Sequence, residues 1–108
     1  MTEASTPGTE IDLSETHARQ VRVSGPRVQD VHFREHCAER AAQAAVTGWV
    51  SNELDGTVAA RFEGTRGAVE DLVAWCRDGS PEAEVAEVSV ETVEPEGLTE
   101  FTVHDGVA

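Results

Sequence analysis

The sequence has no lysine and no tyrosine, and only two cysteines. All eight basic residues are arginine, against 21 Asp and Glu, for a formal net charge of −13. That balance excludes a nucleic-acid-binding surface, which needs a basic face to meet phosphates. No apolar run approaches the ~20 residues that span a bilayer. The N-terminus has no basic, apolar leader pattern either. A cytoplasmic chain without a membrane partner is expected. Cys37 and Cys76 form no C-x-x-C pair, which leaves a zinc or redox motif unsupported. Each falls on the apolar face of a predicted helix, so buried, reduced thiols are expected ahead of a disulfide.

The acids are spread along the whole chain and are not gathered in one block, which argues against a single acidic docking face. Self-repulsion of this size weakens a compact state in dilute buffer. At one molar salt the Debye length falls to ~3 Å and most of that repulsion disappears. The composition therefore reads as adaptation to a salt-rich cytoplasm of the halophilic archaeal kind.

With 108 residues the chain is long enough for one domain with a modest core. Residues 1–17 are rich in Thr, Ser and Glu without apolar periodicity, and are expected to be a disordered tail. Arg19 to Ser24 alternates, with Val21 and Val23 on one face, and predicts a strand. Phe33, Cys37, Ala41 and Ala44/Ala45 recur at helical spacing over about four turns, with Glu35, Glu39, Arg40 and Gln43 outside. Val46 to Asn52 and Thr57 to Glu63 predict two strands joined at Asp55-Gly56, a favoured hairpin dipeptide. Val69, Leu72, Val73 and Cys76 predict a helix over Arg66 to Arg77, closed by Gly79 and Pro81. Val85 to Val93 is a further strand, Phe101 and Val103 mark a short last one, and residues 105–108 are expected to fray. The order βαββαβ plus a short final strand points to a ferredoxin-like split β-α-β sandwich, an α/β (α+β) fold. It has an antiparallel sheet with two helices on one face.

The stretch from Ser24 to Arg34 joins the first strand to the first helix. Helix N-termini carry unpaired amides and a partial positive charge, so they accept anions. Arg34 lies about one turn in, where a guanidinium can grip an anion at two points. Asn52 ends a strand that can reach the same end of the sheet, and its neutral amide can orient a water. Together these groups suit phosphoryl transfer, in which positioning and charge stabilisation do most of the work. His32 and His36 stand four apart near Glu35 and Glu39, but no third ligand is evident, and they read as solvated helix histidines. Trp49 reads as packing, and Asp55 as turn chemistry.

Arg27-Val28-Gln29-Asp30-Val31-His32-Phe33-Arg34 comes first in a longer pattern. It continues with Gly48-Trp49-Val50-Ser51-Asn52, Asp55-Gly56-Thr57-Val58, Gly64, Trp75, Gly79-Ser80-Pro81 and Phe101-x-Val103. This pattern resembles the acylphosphatase family from about Arg19 to His104, within a domain at 18–104. The resemblance implies the ferredoxin-like fold and hydrolysis of a small-molecule acyl phosphate to carboxylate and inorganic phosphate. It also implies no metal and no organic cofactor. By position, Arg34 matches the phosphate-binding arginine and Asn52 the water-orienting asparagine. The backbone amides of Val28, Gln29, Asp30, Val31, His32 and Phe33 match the phosphate loop. A monomer is expected. Two departures stand out: Pro26 is an extra residue between Gly25 and Arg27, and Asp30 replaces a glycine. Asp tolerates positive φ, so the loop shape can survive. Its carboxylate either caps the amides of His32 or Phe33 against an anion or turns to solvent. Reduced but real activity is expected. The alternative is a degenerate module that binds an anion or a partner without turnover.

Overall fold

Residues 15–105 are described by a computed structural model of the chain. The elements are β1 (His17–Ser24), α1 (Phe33–Ala44), β2 (Thr47–Asn52), β3 (Val58–Gly64), α2 (Arg66–Asp78), β4 (Glu87–Val93) and β5 (Phe101–His104). The tail expected at residues 1–17 lies outside the described residues except for 15–17, and His17 already belongs to β1. Of the expected fraying end, 106–108 lie outside them.

Alternation places Val21 and Val23 of β1, Val50 of β2 and Val58, Ala60 and Phe62 of β3 on one side of the sheet. They form a single apolar cluster with Phe33, Cys37 and Ala41 of α1 and Val69, Leu72, Val73 and Cys76 of α2. Both helices therefore cover one face, as expected. Trp75 packs at the edge of that stripe, its ring 5.0 Å from Phe33. Phe62 stacks on Phe101 of β5 with centroids 6.1 Å apart. Cys37 and Cys76 are buried free thiols. Burial pushes both up, Cys76 to about 12, so neither forms a thiolate readily.

The strand order is β4-β1-β3-β2-β5. The hairpin β2–β3 is antiparallel with Asn52 opposite Val58. Its turn closes through Gly56 N–H donating to the Glu53 carbonyl at 3.1 Å. Asp55 accepts from the Thr57 amide at 3.0 Å and the Thr57 hydroxyl at 2.7 Å, the turn role its position suggested. Gly48 permits the tight pairing of β2 and β3: at φ 138°, an added Cβ would lie 1.8 Å from the Arg61 carbonyl oxygen.

Two sequence expectations need correction. The sheet is mixed, because β5 runs parallel to β2. The chain leaves β4 at one edge and must cross the whole sheet to reach the other, and it does so over the face without helices. Arg61 and Glu63, which alternate to that face, are buried beneath the crossing segment. Glu63 accepts from the amides of Glu96, Gly97 and Leu98 at 2.8, 3.2 and 3.3 Å. Arg61 Nε donates to Glu63 at 2.8 Å and Nη2 donates to the Glu94 carbonyl.

Second, α1 stops at Ala44, and Ala45 is its cap and no part of the apolar stripe. Ala45 adopts the left-handed conformation, φ 58° and ψ 41°. Its amide donates to the Ala42 carbonyl and that of Val46 to the Ala41 carbonyl, the paired bonds of a Schellman end. Helix α2 opens on Thr65, whose side chain accepts from the Ala68 amide, and ends at Gly79 with φ 76°.

A left-handed alanine is strained where glycine is not, by roughly 1–2 kcal/mol, partly offset by the larger unfolded-state entropy of glycine. Ala45→Gly is expected to stabilise the fold by about 0.5–1 kcal/mol, read as a higher denaturant midpoint at constant salt.

Candidate active site

The loop between β1 and α1 is built in two halves. In the first, Gly25 lies against residues 84–86, where an added Cβ would fall 2.2 Å from the Glu84 carbonyl oxygen. Ala86 N–H donates to the Ser24 carbonyl at 2.8 Å and Glu84 N–H to the Arg27 carbonyl at 2.7 Å. Pro26 is exposed between these bonds, so the extra residue fits without removing a donor that the pairing uses.

In the second half Asp30 and His32 both have φ 62°. Asp tolerates this conformation, as expected from its type; His32 was not anticipated there. Three anchors hold the turn. Val28 and Val31 are buried in the core. The buried Ser80 hydroxyl donates to the Val31 carbonyl at 2.6 Å. Gln29 Nε2 donates to the carbonyls of Glu53 and Thr57, both at 2.8 Å, and ties the loop to the hairpin turn.

Helix α1 starts with His32 as N-cap and no side-chain capping bond. The self-capped arrangement considered for Asp30 is therefore not adopted. Its side chain is exposed, with no hydrogen bond among the described residues. Likewise no protein acceptor among the described residues pairs with the amides of residues 28–33.

A cavity of about 290 Å³ opens at this helix start. Val28, Asp30, His32, Phe33, Arg34 and Asn52 line it, joined by Glu35. Gln29 and Val31 do not; their side chains act as the anchors just described. Arg34 Nη1 donates to the His104 carbonyl at 3.0 Å and to Asp105 Oδ1 at 2.7 Å. Among the described residues its Nε and Nη2 have no partner. Asn52, the last residue of β2, shares the helix-side face with Val50 and is 8% exposed. Its Oδ1 is buried and, among the described residues, unpartnered. A buried amide oxygen left without a donor costs on the order of 1–3 kcal/mol unless a water or ligand satisfies it.

Glu35, Asp105 and the His104 carbonyl were not foreseen at the site. The helical spacing placed Glu35 on the solvent side, and nothing in the sequence marks contacts 70 and 71 residues from Arg34. His32 and His36 lie on the surface, 4.0 Å from Glu82 and 3.9 Å from Glu39.

The acylphosphatase family model matches residues 19–103. The chain belongs to the acylphosphatase family. It is 53% identical over 77 residues to an acylphosphatase of Nostoc sp., covering 71% of this chain and 76% of that one. It is 47% identical over 92 residues to an acylphosphatase of Haloquadratum walsbyi, covering 84% and 98%. The solved acylphosphatase of Coxiella burnetii superposes with a TM-score of 0.80 at 34% identity, over 85% of this chain and 96% of that one. As a member of that family, with acylphosphatase relatives at about 50% identity, the chain is a hydrolase acting on acyl phosphates. The alternative of a module without turnover is not favoured.

The Ser80 anchor can be tested directly. Ser80→Ala leaves the Val31 carbonyl buried without a donor and should destabilise the protein by about 1–3 kcal/mol, measured by denaturant unfolding at molar KCl.

Proposed function

We propose that the protein hydrolyses small acyl phosphates by water attack on a phosphoryl group held by Arg34 and the amides of residues 28–33. The water would be oriented by Asn52. The observation that carries this reading is the buried Oδ1 of Asn52, without a partner among the described residues, on the same cavity as Arg34. An oxygen in that position accepts a hydrogen bond from water and turns one of the water lone pairs toward phosphorus.

Arg34 supports the phosphate role through the way its guanidinium is divided. Nη1 is taken by the end of β5 and Asp105, while Nε and Nη2 offer the paired edge that matches two phosphoryl oxygens. The P–O bond to the acyl group breaks as the water oxygen bonds to phosphorus. The electron pair leaves on the carboxylate, a weak base that needs no proton. A phosphoryl oxygen of the substrate takes the water proton, so no protein base is required. The charge gathering on the phosphoryl oxygens meets fixed donors in a partly enclosed site.

Asp30 works against this arrangement. Its carboxylate stands at the cavity without a partner among the described residues and repels a phosphoryl dianion. We therefore infer reduced but real activity. We also infer a monomeric, cytoplasmic enzyme adapted to high salt. Support for the compartment and the salt adaptation comes from the charge of −13, the buried free thiols and the relative in Haloquadratum walsbyi.

Acetyl phosphate hydrolysis by the pure protein in molar KCl tests the reading. Arg34→Ala and Asn52→Ala should each lower kcat/KM by about 100-fold or more while the fold persists by circular dichroism. A folded Arg34→Ala variant with wild-type turnover would sink the assignment. Asp30→Gly is expected to lower the inhibition constant of inorganic phosphate about threefold or more; an unchanged constant speaks against the repulsion. Activity should also rise from low to molar KCl, because both self-repulsion and repulsion of the anionic substrate are screened. Full activity and folding in dilute buffer would contradict the salt adaptation.

A further inference from the structure

We propose that Glu63, on the sheet face opposite the helices, is a positioning residue for Arg34. The inference rests on Arg34 being the phosphate clamp and extends that reading to what holds the clamp in place.

The path begins with a buried carboxylate. Glu63 is 1% exposed and Arg61 5%. Glu63 receives three successive amides, those of Glu96, Gly97 and Leu98, besides Arg61 Nε. A concavity of consecutive N–H groups around one carboxylate is the arrangement in which proteins bind anions. Here the anion is a side chain of the protein's own sheet. Burial raises the Glu63 carboxyl, but Arg61 and the amides of Glu96 and Leu98 outweigh it, and the group stays below its ordinary value of 4.5. It is therefore ionised in neutral buffer and holds its donors as charge-assisted bonds. Glu96 Oε2 also lies beside this pair, 3.6 Å from Arg61 Nη1. Gln20 Oε1 accepts from the same nitrogen at 2.8 Å.

The segment that Glu63 holds has little else to fix it. Residues 94–100 carry no helix or strand, and most of their side chains are exposed. Beyond the bonds to Arg61 and Glu63, the only other backbone tie among the described residues is the Gly48 amide donating to the Glu100 carbonyl at 3.0 Å. Next comes β5, four residues at the sheet edge, paired with β2 alone. Its pairing covers four residues and its apolar hold is Phe101 stacked on Phe62, so the connection that delivers it shares in its placement. The far end of β5 supplies the His104 carbonyl, and Asp105 follows, the two acceptors on Arg34 Nη1. Glu63 thus sets where the crossing segment sits, the segment sets β5, and β5 sets the guanidinium. A shift near 1 Å at a clamp is enough to weaken binding even when no contact to the ligand is lost.

The test measures inorganic phosphate binding by calorimetry at fixed molar KCl, alongside kcat and KM for acetyl phosphate. Glu63→Gln keeps size but turns an amide NH₂ toward backbone donors. It should weaken phosphate binding about fivefold and raise KM by a similar factor, with kcat within about twofold of wild type. In an Asp105→Ala background the same substitution should have a smaller effect, since one of its two links to Arg34 is removed and only the His104 carbonyl remains. Unchanged phosphate affinity in folded Glu63→Gln overturns the proposal. So does an undiminished effect in the Asp105→Ala background, which would mark a purely structural role. Should Glu63→Gln not fold, the paired replacement Arg61→Met with Glu63→Met is the variant to read. Apolar replacement of a whole buried ion pair is tolerated where loss of one partner is not. It frees the same amides and should weaken phosphate binding in the same way. Failure of the underlying reading looks different: wild type would neither bind phosphate nor hydrolyse acetyl phosphate, and Arg34→Ala would change nothing.

Discussion

Helix α1 begins without a side-chain cap, and much of the surrounding structure answers to that one constraint. Free amides at a helix start are costly, and most helices cover them with Ser, Thr, Asp or Asn. Here His32 occupies the N-cap in a left-handed conformation and bonds to none of them. The arrangement lasts because its neighbours leave the loop no alternative. Val28 and Val31 are buried below it, Ser80 holds one carbonyl, and Gln29 ties it to the hairpin that ends β2. The same tie relates the loop to Asn52. An anion in the cavity would complete the helix end, so the uncapped start of α1 and the proposed phosphate binding would have one origin.

Charge is handled by a parallel division of labour. With no lysine, every cation is a planar guanidinium able to serve several acceptors at once. Arg61 does so under the crossing segment and Arg34 at the cavity. Arg19, Arg22 and Arg66 meet Glu70 or Asp55 in half-exposed or exposed pairs at 3.4–4.0 Å. Pairs of that kind contribute little to stability and are screened by salt. Arg61, with its buried partner Glu63, and Arg34, which lines the cavity, therefore carry more consequence than these three.

Periodicity in the sequence was a good guide to elements and to faces. Alternating Val21 and Val23, the Asp55-Gly56 turn and the Val69-Leu72-Val73-Cys76 stripe all appear where expected, within one or two residues at their ends. That Arg34 and Asn52 would face one cavity with part of the loop was also legible, from the strand–loop–helix pattern and the resemblance to the acylphosphatase family. Ala45 was misplaced because a cap and a last helical turn look alike when both are alanine. Glu35 was assigned to solvent, since helical spacing tells core from surface and not which surface residues meet a cavity.

What the sequence by itself determined is local: which segments are strands or helices, which side of each is apolar, and that the chain carries a strong excess of negative charge. Those properties follow from the spacing and type of neighbouring residues. The tertiary structure decided that β5 lies parallel beside β2, that Glu63 is buried under residues 96–98, and that Asp105 meets Arg34. None of these has a periodic signal, because each depends on where a crossing segment comes to rest. The cavity opening at α1 is likewise a product of the fold. Among the described residues, the Asn52 oxygen stays without a partner there because strand, hairpin and loop close around it.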